Sequence, residues 1–168
     1  TLSTLISIVR DTLLFGTSHG KIHKAAAGFD TALTISAAGV PIQSLACDSL
    51  RIWAACGREI YKVSRANMRV AAVKTVPGMT GSRIKLSIGN VWPGTGLETA
   101  LCDNAGNVAL LDSSLNLLPG WPVKIDNAVA KPPSLGDVDG DGLLDVVIPG
   151  NNKVYALSYT GTHLSNWP

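Results

Sequence analysis

The most regularly spaced acidic residues of this chain lie in the segment Asp137-Val-Asp-Gly-Asp-Gly-Leu-Leu-Asp145. It holds four of the twelve acidic residues, at places 1, 3, 5 and 9 of the segment. Gly140 and Gly142 allow the backbone to turn tightly enough to aim these side chains inward. Carboxylates held so close repel one another unless a hard cation lies between them. Calcium suits this spacing, because it accepts about six to eight oxygens in a flexible geometry, whereas magnesium requires a stricter octahedron.

We therefore predict that the segment is a calcium-binding loop. The predicted ligands are the four acidic side chains and the backbone carbonyl at position 7, namely Asp137, Asp139, Asp141, Leu143 and Asp145. Asp-Gly dipeptides are also common in ordinary turns, so a solvated turn without a metal is the alternative. Three alternating aspartates with two glycines, followed by a fourth aspartate, favour the calcium loop.

A longer segment around this loop resembles a known family. Residues 133–150 read Pro-Ser-Leu-Gly-Asp-Val-Asp-Gly-Asp-Gly-Leu-Leu-Asp-Val-Val-Ile-Pro-Gly and continue through Lys153-Val-Tyr-Ala-Leu157 to Trp167-Pro168. This pattern resembles the FG-GAP or VCBS repeat, the blade unit of integrin-alpha-like propellers and of many bacterial surface proteins. The resemblance covers the last 36 residues. It implies a β-propeller blade whose calcium loop, with the same five ligands, connects the first and second strands.

Internal repetition supports the same architecture. The segment Ser87-Ile-Gly-Asn-Val-Trp-Pro-Gly-Thr-Gly-Leu-Glu98 aligns at an offset of 47 with Ser134-Leu-Gly-Asp-Val-Asp-Gly-Asp-Gly-Leu-Leu-Asp145. Beyond Gly106 the offset becomes 46, and the apolar positions continue to match. In the earlier copy the first three aspartates are replaced by Asn90, Trp92 and Gly94, which leaves only Glu98 charged. We predict that the loop persists there without a metal site.

Two weaker copies lie upstream, at Asp11–Lys24 and Asp48–Lys62. Each has two apolar runs on either side of a glycine turn, which predicts a β-hairpin. Further hairpins are expected at 100–111 and 147–157. The four hairpins begin about 37, 48 and 47 residues apart, which is the length of a four-stranded propeller blade.

We predict an all-β chain of about four four-stranded β-propeller blades, at 1–40, 41–80, 81–125 and 126–168, that forms part of a larger propeller. Closure of four blades into a small ring is the alternative. Only 15% of the residues are charged and 46% are apolar, as expected of sheets covered on both faces. No apolar stretch approaches the ~20 residues that span a bilayer, so we predict no membrane span.

Several residue types with chemical potential have a structural interpretation. The three cysteines, Cys47, Cys56 and Cys102, are an odd number, so at least one thiol is unpaired within the chain, and we interpret all three as small core residues. His19 and His23 are predicted to be exposed residues of a hairpin turn. The tryptophans that could line a sugar-binding groove are predicted instead to pack between blades, namely Trp53, Trp121 and Trp167.

Charge is distributed unevenly along the chain. Residues 1–85 contain eleven Lys or Arg and four acids, whereas residues 86–168 contain three basic and eight acidic residues. The densest basic cluster comprises Arg58, Lys62, Arg65, Arg69 and Lys74. An anionic partner on the first two blades would explain it, and so would cations that protect sheet edges from aggregation. Nucleic-acid binding is disfavoured, because no aromatic stacking pattern accompanies the cations.

The sequence contains no phosphate-binding glycine loop and no nucleophile elbow, which argues against an enzyme. We predict an extracellular calcium-binding propeller module for protein or glycan binding or cell adhesion, with further blades or a second chain as possible partners. The alternative is the propeller domain of a secreted enzyme, such as a polysaccharide lyase or a quinoprotein. A loop of this openness suits millimolar calcium, so the expected location is extracellular, at the cell surface or periplasmic.

Overall fold

The computed structural model describes residues 7–9, 12–36, 38–94, 96–126, 129 and 131–164. Within these ranges every regular element is a β-strand, and the strands form antiparallel sheets in which consecutive strands pair. No helix in the described part of the chain could cross a membrane. The strand content and the antiparallel pairing confirm the predicted all-β architecture. The chain divides into two compact units, residues 1–75 and 76–168.

The first unit contains two four-stranded sheets. The strands of the first sheet are β1 (Ser7–Val9), β2 (Thr12–Gly16), β3 (Lys21–Ala26) and β4 (Phe29–Thr34). The strands of the second sheet are β5 (Ile42–Cys47), β6 (Arg51–Cys56), β7 (Glu59–Ser64) and β8 (Val70–Thr75). Alternate residues of these strands form one buried apolar cluster, which includes Leu14, Ile22, Ile52, Ala54 and Val63.

The second unit contains the other two sheets. The third sheet comprises β9 (Ile84–Gly89), β10 (Glu98–Asp103), β11 (Asn107–Leu111) and β12 (Val123–Lys124). The fourth sheet comprises β13 (Ser134–Gly136), β14 (Asp145–Pro149) and β15 (Val154–Leu157). Their shared core includes Ala100, Val108, Leu110, Val146 and Ile148.

The predicted hairpins are all present, as the pairs β2–β3, β6–β7, β10–β11 and β14–β15. The sequence repeat is also a repeat of backbone hydrogen bonds in the second unit. The amide of Leu118 donates to the carbonyl of Leu110 at 3.0 Å, and the amide of Leu164 donates to the carbonyl of Ala156 at 3.0 Å. Both members of the second pair lie 46 positions after those of the first, as the alignment predicted.

One histidine differs from its prediction. His19 lies exposed in the turn between β2 and β3, as expected, but the prediction for His23 was wrong. His23 lies half-buried in β3, opposite Phe15, and the two rings stack with centroids 4.8 Å apart. Its Nδ1 lies 3.3 Å from a carboxylate oxygen of Asp30. His23 is not a turn residue because it pairs with Phe15 in the register of β2 and β3, which places its imidazole on a face of the sheet.

The three cysteines are free thiols, of which Cys56 and Cys102 are buried. Burial raises the pKa of Cys102 to about 12 and also raises the pKa of Cys56. Cys47 pairs with Ile52 in the register of β5 and β6, so it does not face Cys56 across the hairpin.

Two of the three tryptophans that were predicted to pack between blades are buried. Trp121 belongs to the core of the second unit, where its Nε1 donates to the carbonyl of Tyr159 at 2.9 Å. Trp53 is buried within β6. Trp167 lies outside the described residues.

Candidate metal centre

The acidic segment forms the loop between β13 and β14, where the resemblance placed it. Its turns are built by aspartates that accept hydrogen bonds from backbone amides ahead of them. Asp137 accepts from Gly140 at 2.7 Å and from Gly142 at 3.0 Å, and Asp139 accepts from Asp141 at 3.1 Å. Gly140 and Gly142 have φ values of 83° and 86°, a left-handed conformation that favours glycine. The sequence pattern thus folds into a compact loop through local contacts.

Three of the predicted ligands converge. One carboxylate oxygen from each of Asp137, Asp139 and Asp145 lies within 4.8 Å of the other two. Calcium–oxygen distances are about 2.3–2.6 Å, so two ligands on opposite sides of a calcium ion are about 4.6–5.2 Å apart. The three oxygens therefore fit within one calcium coordination sphere. They are hard, anionic donors, which is the chemistry that calcium prefers.

The other two predicted ligands have different surroundings. Asp141 is exposed and lies outside this group, and its Oδ1 accepts the amide hydrogen of Leu143 at 2.8 Å. Leu143 is half-buried, and coordination by its carbonyl stays a prediction. Asp141 would complete the set by rotating its carboxylate away from its own turn.

Asp145 is the buried member of the group. Burial raises the pKa of its carboxyl, and the charges of Asp139, Asp141 and Asp137 raise it further. A hydrogen bond from the amide of Val138 at 3.0 Å acts in the opposite direction. Without a cation the loop therefore disfavours the ionised form of its innermost carboxylate. A bound divalent cation would reverse that balance.

The corresponding loop of the third sheet uses its single carboxylate differently. Glu98 is buried, and its Oε2 accepts the amide hydrogens of Val91 at 2.9 Å and Trp92 at 3.1 Å. The contact with Val91 repeats the contact between Asp145 and Val138, 47 positions later. The Trp92 ring packs edge-on against Tyr159, with centroids 5.3 Å apart. In this copy an aromatic contact and a glutamate that binds the backbone organise the loop.

The basic cluster of the first unit is partly structural. Lys62 is buried, with its Nζ 5.4 Å from the centroid of the Trp53 ring. The guanidinium of Arg65 donates to the carbonyls of Asp48 at 3.0 Å and Ser49 at 3.2 Å, so it closes the turn between β5 and β6. The other three cations of the cluster are exposed, namely Arg58, Arg69 and Lys74. Substitution of Arg65 would therefore disturb the fold as well as the surface charge.

The sequence analysis missed a cavity of about 160 Å³ in the first unit. Its lining includes Lys24, Phe29, Thr31, Ala66 and Met68, from β3, β4 and the turn before β8. These residues are too far apart in the sequence to form a motif. An available signal was the aromatic residue at a hairpin turn, where polar residues are usual.

Comparisons with known proteins support the fold. Neither a scan against protein-family models nor a search of curated proteins found a match. BamB from Moraxella catarrhalis is similar to 97% of this chain, with 13% identity and a TM-score of 0.70. The Pan2 WD40 domain of Neurospora crassa is similar to 99% of it, with 15% identity and a TM-score of 0.69. The computationally designed Ika4 protein is similar to 94%, with 11% identity and a TM-score of 0.67.

The chain spans about half the length of the first two structures, at 48% and 49%, and 91% of the designed protein. WD40 repeats are propeller blades of four antiparallel strands, and the described residues of this chain form three four-stranded antiparallel sheets and one three-stranded sheet. The protein is an all-β β-propeller, so the predicted fold is confirmed. Similarity at this level of identity shows the fold alone, and the resemblance to FG-GAP or VCBS repeats stays a prediction.

Proposed function

We propose that the chain is a calcium-stabilised β-propeller module that binds a protein or glycan partner outside the cytoplasm. The convergence of the Asp137, Asp139 and Asp145 carboxylates within 4.8 Å carries the proposal. Its geometry suits calcium, and the pKa of Asp145 is raised by burial and by the charges of the other three aspartates, both of which a bound cation would offset. The FG-GAP or VCBS-like sequence around the loop supports the same role.

The role of the metal is structural in this proposal. The loop connects β13 to β14, and Val146, directly after Asp145, belongs to the core that the third and fourth sheets share. A cation that fixes the loop would therefore fix the start of a core strand. Asp137, Asp139, Asp141, Asp145 and the Leu143 carbonyl would occupy most of a calcium shell, which leaves little open coordination for a substrate.

The location follows from the expected affinity. Modules with open, largely exposed calcium loops bind with dissociation constants of about 10⁻⁴–10⁻³ M, which suits extracellular calcium. Asp137 and Asp139 are exposed, so we expect the loop to bind calcium with a dissociation constant in this range. At free calcium about 100 times the dissociation constant, binding to the folded state alone adds about 2.7 kcal/mol to the free energy of unfolding.

Isothermal titration calorimetry and thermal melting of the whole chain test this role. We expect calcium uptake at millimolar concentration, a melting temperature that rises with calcium and falls with a chelator, and a much smaller response to magnesium. Asp139→Asn keeps the size of the side chain and one oxygen that can coordinate, but it removes one negative charge, so it should weaken calcium binding by about tenfold. No calcium uptake by folded protein at millimolar concentration would refute the proposal.

Asp112→Asn is a matched control for the metal site. Asp112 organises a turn in the third sheet by the same chemistry, since its Oδ1 accepts from Ser114 at 2.8 Å and from Asn116 at 2.7 Å. It lies outside the group of converging carboxylates. The variant should therefore keep the full calcium response. Equal loss in both variants would show that the response follows general turn stability or net charge.

A further inference from the structure

Two apolar side chains on the first unit are unusually exposed. Phe29 is 73% exposed and Leu50 is 68% exposed, the highest values among large apolar side chains in the described residues. Both adjoin the turn at 65–68 between β7 and β8. Phe29 lines the cavity together with Ala66 and Met68, and the carbonyl of Leu50 accepts the amide hydrogen of Arg65 at 2.9 Å. We name Lys24, Phe29, Leu50, Ala66, Met68 and Arg69 the 65–68 surface.

The cavity within this surface is lined by apolar side chains, by the polar side chains of Thr31 and Asn67, and by one cation, Lys24. Met68 is buried, whereas Phe29 and Ala66 are exposed at the rim. The ammonium group of Lys24 donates to the carbonyl of Arg65 at 2.7 Å. An ammonium has three donor hydrogens, so this contact leaves capacity for an incoming acceptor. The cavity can therefore take an apolar group that has an anion beside it.

The charge around the surface favours an acidic ligand. Residues 1–75 contain nine Lys or Arg and four Asp or Glu. Arg69, directly after the turn, is exposed. The neighbouring acid, Asp30, lies within reach of His23 at 3.3 Å, and adjacent strand residues point to opposite faces, so its carboxylate is on the face opposite Phe29. Positive potential at the surface is thus not cancelled by that carboxylate.

We propose that the 65–68 surface binds an extended acidic segment of a partner protein, which inserts one bulky apolar side chain into the cavity and sets carboxylates against Lys24 and Arg69. The inference deepens the binding role proposed above and rests on it, but it does not depend on calcium. An apolar anchor that fills a pocket, surrounded by polar contacts, is the usual centre of a protein interface. A glycan could stack a C–H face on Phe29, but it has no bulky apolar side chain that would fill the cavity, so the cavity favours a peptide.

Fluorescence anisotropy of the whole chain with a labelled peptide tests the surface. The probe is a capped peptide with one central phenylalanine between runs of aspartate and glutamate. Two control peptides replace the phenylalanine by alanine or the acids by their amides. We expect the probe to bind at least about tenfold more tightly than either control, because both the anchor and the charges contribute. Added salt should weaken it, since exposed charges are screened over ~8 Å at physiological ionic strength.

Variants of the protein locate the contact. Ala66→Leu extends an exposed side chain into the cavity, and Arg69→Glu reverses the charge of the exposed residue that follows Met68, so each should weaken probe binding about tenfold. Lys21→Glu is the matched control for charge, because Lys21 is exposed in β3 and does not line the cavity. It should leave the affinity nearly unchanged. Nuclear magnetic resonance should place the shifts caused by the probe at Phe29 and at residues 66–68.

Four results would overturn the inference. The first is that the probe binds no more tightly than the alanine peptide, and the second is that Ala66→Leu leaves probe affinity unchanged while its circular dichroism spectrum matches that of the wild type. The third is that a sulfated oligosaccharide binds more tightly than the probe. The fourth is that the chain self-associates and Ala66→Leu abolishes the association. The last two would identify an anionic glycan or a second copy as the occupant. Phe29→Ala provides a second test of the cavity if Ala66→Leu does not fold. Parallel titrations with calcium and with a chelator separate failure of this inference from failure of the metal site.

Discussion

Replacement of Asp103 by asparagine should lower the free energy of unfolding of the second unit by about 3 kcal/mol at neutral pH. The carboxylate of Asp103 is fully buried and accepts four hydrogen bonds. Its Oδ2 accepts from the amide of Gly81 and from the Asn107 side chain, both at 2.8 Å. Its Oδ1 accepts from the amides of Ala105 and Asn107, both at 2.9 Å. The sequence analysis did not identify this network.

The magnitude follows from counting donors. Asparagine has nearly the same shape as aspartate, so no cavity forms, but its amide group has one acceptor oxygen. Whichever way the amide is oriented, two of the four donors face its NH₂ group. Each unsatisfied buried donor costs about 1–3 kcal/mol, and the two are close enough that their costs do not simply add. The expected total is therefore about 2–5 kcal/mol.

The difference in the free energy of unfolding between the wild type and Asp103→Asn should depend on pH. Burial alone raises the pKa of Asp103, but the hydrogen bonds from Asn107, Gly81 and Ala105 outweigh it and hold the pKa below its ordinary value. The unfolded chain therefore binds the proton more readily. The stability that this carboxylate contributes is fully present above its unfolded pKa of about 3.9, and it is lost as the pH falls through the lower folded pKa.

Asp145 has the opposite dependence, because its folded pKa is raised. Its contribution is present below its unfolded pKa and is lost as the pH rises through the folded value. Both proteins contain Asp145, so its effect cancels in the difference between them.

Urea unfolding, followed by tryptophan fluorescence in the presence of a chelator, measures the difference. We expect the free energies of unfolding of the wild type and Asp103→Asn to differ by a constant amount around neutral pH. Below about pH 4 this difference should become smaller. Asp112→Asn is the control, because that turn is exposed to water, and it should cost less than about 1 kcal/mol. A gap below about 0.5 kcal/mol at neutral pH, or one that does not narrow in acid, would refute the reasoning.

Two further substitutions test packing within the second unit, and a third, in the first unit, is their control. Trp121→Phe keeps an aromatic ring but removes the 2.9 Å hydrogen bond to the carbonyl of Tyr159 and part of a buried side chain, so it should cost about 1–3 kcal/mol in urea unfolding; an unchanged midpoint would contradict both contributions. Gly120→Ala places a Cβ 2.1 Å from the carbonyl oxygen of Thr160 at a φ of 86°, so it should cost about 2–5 kcal/mol. Gly28→Ala has a similar φ of 75° and no atom within 4 Å, so it should cost only about 1–2 kcal/mol, and equal costs would rule out the steric argument.

The sequence predicted the hairpins and the loop because both depend on neighbouring residues. Apolar runs on either side of a glycine turn pair locally, so the four hairpins could be located from spacing alone. The 46-residue offset between Leu118 and Leu164 reappeared as matching hydrogen bonds. Asp137 and its glycines formed the predicted turns for the same reason, because each aspartate bonds backbone amides a few positions ahead.

Side-chain environments were less predictable. The spacing treated Asp137, Asp139, Asp141 and Asp145 as equivalent ligands, but the structure groups three of them and leaves Asp141 outside the group. Spacing along the sequence cannot distinguish these carboxylates, because the loop conformation determines which of them converge. The basic cluster likewise looked uniform, although Lys62 packs over an indole ring.

The sequence by itself therefore determined the β-strands, their order, the repeat and the acidic loop, all of which follow from contacts between residues close in the chain. Only the tertiary structure decided which polar groups are buried and which apolar groups are exposed. Asp103 is held by Gly81, Trp121 reaches Tyr159, and Lys24 contacts the turn that completes the cavity beside Phe29. These partners are 22, 38 and 41 residues apart. No local pattern encodes such distances, because they depend on how whole sheets pack.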